Sequence, residues 1–172
     1  QGFDEALIMA SGMHLPENDP NVVNAKVPFD PIDAFLWARM QYAASFNGGP
    51  WFEPGGYLAD YWTDESLKVI DANKNRPFFL YLAHWGVHTP MQATKEDYEA
   101  VGDIEPHRLR VYAAMLRALD RSVGRIVEKL EQEGLADAGH GADGSDQLLR
   151  GGALHQVGPG AGLEHRLHIA AV

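Results

Sequence analysis

At 172 residues the chain is long enough for one domain with a real core, and its composition, 45% hydrophobic and 22% charged, is that of an ordinary globular protein. A formal net charge of −10 argues against non-specific binding to nucleic acid or to an anionic membrane face, because both need an excess of Lys and Arg. The absence of cysteine excludes disulfides, thiolate metal sites and a cysteine nucleophile within these residues.

Residues 1–56 read as a long, ordered, wrapped loop. Pro16, Pro20, Pro28 and Pro31 each fix their own φ and bias the preceding residue away from helix. Val22, Val23, Phe29, Phe35 and Trp37 are too apolar for a disordered linker. One short helix is expected around Ile32 to Tyr42, and FNGGPWFEPGG closes the segment with turns. The first residues, QGFDEALIMASG, carry no basic start and no long apolar core, so no signal peptide is read. The chain starts at Gln1 like a piece of something longer, and the compartment stays open. No run of about 18 apolar residues occurs, so no membrane span is expected.

WTDESLKVIDANKNRP reads as a helix with Thr63 as N-cap, Asp64 and Glu65 in the first turn, and a stop at Asn73, Asn75 and Pro77. PFFLYLA follows, apolar without alternation, as expected of a strand buried on both faces in a parallel sheet covered by helices. Helix, short loop and buried strand form half of a βαβ unit, and the fold class is α/β. A long helix is expected from Pro106 to Glu133. Tyr112, Met115, Leu116, Leu119, Val123, Ile126, Val127 and Leu130 make one stripe at the helical period, and Gly134 stands at the C′ position. Beyond it the character changes. Residues 138–172 hold eight of the 18 glycines and four of the eight histidines, with no strand-like run. This tail is read as anomalous, disordered or the product of a shifted frame or recombined end.

His84 and His88 follow the buried strand. In open α/β sheets ligands bind outside the carboxyl ends of the strands. An imidazole there can bond an oxyanion or pass a proton, since its pKa lies near neutrality. The same histidines could equally cap backbone groups. An H-x-x-x-H zinc site is not expected, because an extended segment does not bring i and i+4 onto one face.

RPFFLYLAHWGVHTPMQATKEDYE, followed by HRLRVYAAMLRALDRSVGRIVEKLEQEGLAD, resembles the sulfatase family. GYLADYWTDESLKVI and GFDEAL add matching pieces in the right order, so the likeness covers about residues 1–137. The resemblance implies an alkaline-phosphatase-like sandwich, present here in part, with a mostly parallel sheet flanked by helices. It implies hydrolysis of a small sulfate ester by a formylglycine nucleophile with a divalent cation, Ca2+, in the intact parent. The nucleophile motif and most metal ligands would precede Gln1, and this chain alone would be inactive. His88 matches the family's H-x-P histidine, which implies sulfate contact and protonation of the leaving oxygen. His84, in the same turn, would shape substrate choice or pack. Asp146 and Gln147 stand where the family's metal-binding Asp and Asn fall. Asp120 is expected to cap or salt-link. The family favours a periplasmic or secreted compartment and leaves oligomeric state open. A phosphonate or phosphodiester hydrolase of the same superfamily and a non-catalytic interaction module remain alternatives.

Overall fold

The computed structural model describes residues 2–10 and 12–136, and the backbone of residues 167–171. Asp146 and Gln147 therefore lie outside the described residues. In chain order the elements are β1 (Glu5–Met9), β2 (Val22–Asn24), α1 (Pro31–Arg39), β3 (Ala44–Phe46), α2 (Leu58–Asn73), β4 (Phe78–Leu82), β5 (Gln92–Thr94), α3 (Lys95–Ala100), α4 (His107–Gln132) and β6 (Leu167–Ala171). One sheet runs β3-β1-β6-β4, with β6 parallel to both β1 and β4 and β3 antiparallel to β1. A second pairs β2 antiparallel to β5, Val23 opposite Ala93. Three strands thus interrupt the segment expected to be mostly loop. A strand also stands in the tail where none was expected.

The helices keep their expected places with shifted edges. α1 begins at Pro31, and the Asp30 side chain accepts from the Ile32 and Asp33 N–H groups. α2 starts five residues before Thr63, directly after extended Tyr57. Thr63 is consequently an interior residue, buried, with its hydroxyl donating to the Ala59 carbonyl at 2.6 Å. Apolar Leu58 and Trp62 and the chain entry from EPGG won over the Thr-Asp-Glu signal. α4 ends as its sequence dictates. Gly134 has φ +67°, its N–H donates to the Glu131 carbonyl, and Leu135 N–H reaches back to Leu130. This is the paired closure that a left-handed glycine permits.

Two expectations about burial are corrected. β4 alternates: Phe78, Leu80 and Leu82 are half-buried, whereas Phe79 and Tyr81 are 36% and 44% exposed. Leu82 packs with Leu7, Leu58 and Trp62 on the α2 side, and among the described residues no helix covers the other face, where Phe3 stacks near Phe79 and Tyr81. The second correction concerns α4. Its buried face is Val111, Ala114, Met115, Ala118 and Ser122, while Leu116 and Val123 of the expected stripe are 43% and 49% exposed. Small residues at the crossing let α2 and α4 approach closely: Ala59 packs with Ala118, and Thr63 Oγ1 bonds Ser122 Oγ.

This assignment has a direct test. Ala114 is fully buried against Ala25, Met91 and Ala93. Ala114→Leu is expected to destabilise by about 1–3 kcal/mol through overpacking. Leu116→Gln, on the exposed stripe, is expected to stay within about 0.5 kcal/mol. Urea midpoints of the two variants check this, and the reverse order would mean that the stripe is the core face.

Arg121 ties three helices together. It donates to both oxygens of Asp97 on α3, at 2.6 and 3.0 Å, and to both oxygens of Asp60 on α2, at 3.2 and 3.1 Å. Asp97 is buried and also accepts from Thr94, the α3 N-cap. Burial raises the Asp60 pKa against the pull of Arg121. Asp120 neither caps nor pairs: it is exposed on α4 and makes no ion pair among the described residues.

Candidate active site

The parallel direction of β1 and β4 sends the residues that follow each strand to the same edge of the sheet. There the segment after β1, residues 12–15, is laced to the turn after β4, residues 83–91, and to Gln92 at the start of β5. Trp85 Nε1–H donates to the Gly12 carbonyl at 2.9 Å. Gly12 has φ +96°, and a Cβ there would lie 2.7 Å from the Trp85 ring, so both backbone and space demand glycine. The N–H groups of His14 and Leu15 share Gln92 Oε1, at 2.9 and 3.3 Å, and the Gln92 amide donates onward to Asn24 Oδ1 at 2.9 Å. The Tyr57 hydroxyl donates to the Gln92 carbonyl at 2.9 Å, and burial pushes its pKa up, so it stays a donor.

His88 stands exposed on this laced base. Its N–H closes a turn onto the Trp85 carbonyl at 2.9 Å, and its ring stacks on the Trp85 indole, centroids 4.0 Å apart and planes 29° apart. Nδ1 lies 2.7 Å from the Thr89 carbonyl. A carbonyl only accepts, so Nδ1 carries the proton. That leaves Nε2 as the nitrogen turned outward, with no hydrogen-bond partner among the described residues. A ring fixed by a stack and a tether, with one nitrogen open, can accept or deliver a proton at a single defined point.

His84 faces the other way. Its Nε2 lies 3.3 Å from Ser122 Oγ on α4, which in turn bonds Thr63 on α2. Its Nδ1 is buried without a partner among the described residues. Burial lowers its pKa, so the ring is neutral at pH 7. The sequence grouped the two histidines as one turn; in the fold His88 points out and His84 anchors the turn to the helices.

His14 was not singled out by sequence, yet it lies at the centre of the lacing. It is fully buried, its ring stacks on Tyr57 with centroids 5.8 Å apart, and its Nε2 lies 3.1 Å from the His88 carbonyl. Burial holds its pKa down at about 4, opposed by the bond to that carbonyl and helped by the nearby His88 ring. Its carbonyl accepts from Leu58 N–H, the first residue of α2, at 2.9 Å. No local sequence signal links residues 14 and 88; only the parallel strand order does.

A cavity of about 160 Å³ lies elsewhere, between the sheet and α2, lined by residues such as Leu7, Tyr61, Glu65 and Leu80 and by neither histidine of the turn. Among the described residues no group of three or more His, Cys, Asp or Glu could hold a metal ion. No described helix is long and apolar enough to cross a membrane.

Comparison with known proteins places the sequence and the fold in one family. A family model described as Sulfatase matches residues 1–139. The chain is 34% identical over 85 residues to Uncharacterized sulfatase YdeN of Escherichia coli (strain K12), covering 48% of this chain and 15% of that protein. It is 27% identical over 106 residues to Arylsulfatase J of Mus musculus, covering 59% and 18%. The chain thus spans less than a fifth of the length of these curated relatives. Among solved structures, that of Ps i-CgsB in complex with k-i-k-neocarrahexaose superposes with a TM-score of 0.57 at 28% identity, over 79% of this chain and 30% of the other. With four-fifths of the sequence inside one family model and 79% of the chain superposing on a solved relative, the chain belongs to the sulfatase family, whose fold is alkaline-phosphatase-like.

Proposed function

We propose that the protein carrying this chain hydrolyses a sulfate monoester, and that His88 is its contact to the sulfate and the proton donor to the leaving oxygen. The observation that supports this most is the His88 ring itself. Nδ1–H is held by the Thr89 carbonyl, the ring is held by Trp85, and Nε2 is open at the carboxyl edge of the sheet. Protonated, Nε2 donates to a sulfate oxygen or to the ester oxygen as the S–O bond breaks, and the Nδ1 tether stabilises the imidazolium. The family reading adds a formylglycine nucleophile and a calcium ion. The described residues offer no donor set that fits a cation, and Asp146 and Gln147 lie outside them, so no step here runs through a metal.

The substrate is a sulfated small molecule, and the oligosaccharide held by the structural relative makes a sulfated sugar the first class to try. A tetrahedral anion alone does not separate sulfate from phosphate, so the test is a matched pair. The native protein is expected to turn over 4-nitrophenyl sulfate at least tenfold faster than 4-nitrophenyl phosphate at equal concentration. Preference for the phosphate, or for a phosphonate ester, would replace the sulfatase reading by a phosphorus-ester hydrolase.

A further inference from the structure

We infer that His14 is a positioning residue for the reacting imidazole, acting through the backbone of His88. This rests on the proposed role of His88. Three observations carry it. The His14 ring nitrogen Nε2 lies 3.1 Å from the His88 carbonyl, the peptide group next to the Thr89 carbonyl that holds Nδ1. His14 is itself fixed at every polar backbone group: its N–H goes to Gln92 and its carbonyl to Leu58. Its ring is clasped against Tyr57 in a fully buried site, where a histidine without a function would be a costly choice of side chain.

The chemistry follows from the partner. A carbonyl accepts, so His14 carries a proton on Nε2, and burial keeps the ring neutral. The bond from Nε2 draws on the His88 carbonyl while Trp85 holds the same residue from the other side, through its own carbonyl and its ring. Two constraints on one residue fix both the peptide plane and the direction in which the imidazole leaves it. Take away the His14 donor and the carbonyl turns towards another donor or water. The Thr89 tether then loses its fixed geometry, and Nε2 samples a wider arc. Because near-attack geometry is steep in distance, an ångström of freedom at Nε2 is enough to cost turnover heavily.

The experiment uses the native protein that carries this chain. His14→Gln keeps an N–H donor near the Nε2 position; His14→Leu fills the site without one. His14→Leu is expected to lower kcat at least tenfold on an alkyl or sugar sulfate with KM changed less than twofold. His14→Gln is expected to recover kcat to within about threefold of the native value. Equal loss in both variants, or no loss in either, would overturn the inference. A second measurement needs neither variant to fold. Long-range proton–nitrogen NMR of the unsubstituted protein is expected to show His14 as the neutral Nε2–H tautomer at pH 7, and the opposite tautomer would overturn it. Should the native protein fail to cleave any sulfate, the sulfatase reading falls on that ground alone. The tautomer, and the change in the His88 ring NMR signals at pH 7 between native and His14→Leu, still decide whether His14 sets the pose of the turn.

Discussion

His88→Ala is expected to lower turnover of a sulfate monoester by roughly 100-fold or more, the usual range for a positioned general acid. The ring is exposed, and the lacing beneath it runs through Trp85, Gln92 and His14 rather than through the His88 side chain. Folding stability should therefore change by no more than about 0.5 kcal/mol, and the loss should appear in kcat. The size of the loss should depend on the leaving group. A nitrophenolate departs well without a proton, whereas a sugar or alkyl oxygen does not. The variant is thus expected to suffer more on the alkyl ester than on the aryl one. The same loss on both would make His88 a sulfate contact only, and unchanged turnover would remove it from the site.

The second large effect is on stability against acid. His14 has its pKa held at about 4 by burial, against 6.5 in an unfolded chain. Between those values the unfolded chain binds the extra proton, so stability rises with pH across the window and is lost as pH falls through it. At about 1.4 kcal/mol per unit, the full difference is on the order of 3 kcal/mol, gone by about pH 4. His84, also lowered by burial, acts with the same sign. Urea melts from pH 7 to pH 4 on the native protein and on His14→Gln check this. The native curve is expected to fall steeply with acid and the variant curve to fall less. Parallel curves would show that the ring takes up its proton in the fold as readily as in the unfolded chain.

What the sequence made legible was local. The end of α4 was written in Gly134, and the body of α2 in Leu67, Val69 and Ile70. The short apolar run of β4 led to a turn with two histidines, and all of these stand where they were read. What it hid was set by pairing and by close approach. β2 is three residues among prolines and exists because Val22–Asn24 meet Gln92–Thr94, some seventy residues away. The stripe on α4 was read from apolar residues at the helical period, but the helix buries Ala118 and Ser122 because α2 comes close enough to touch small side chains, and Ala114 because Ala25, Met91 and Ala93 press on it. Thr63 carried the signature of a helix start and serves instead inside the helix, as a partner for Ser122. The site divided in the same way. The place of His88 in the turn after a strand was legible. The inward turn of His84 and the part played by His14 depend on who stands opposite in space.

Among the described residues, the face of β4 with Phe79 and Tyr81 and the seam of α4 with Leu116 and Val123 are apolar and part-exposed, which bears on how two copies of the chain would meet in solution. A net charge of −10 keeps them apart at long range, while these oily strips attract on contact. Salt shortens the reach of the repulsion to about 8 Å at physiological ionic strength and leaves the contact attraction intact. Self-association through these strips is therefore expected to rise with salt, which light scattering of the chain in low- and high-salt buffer reads.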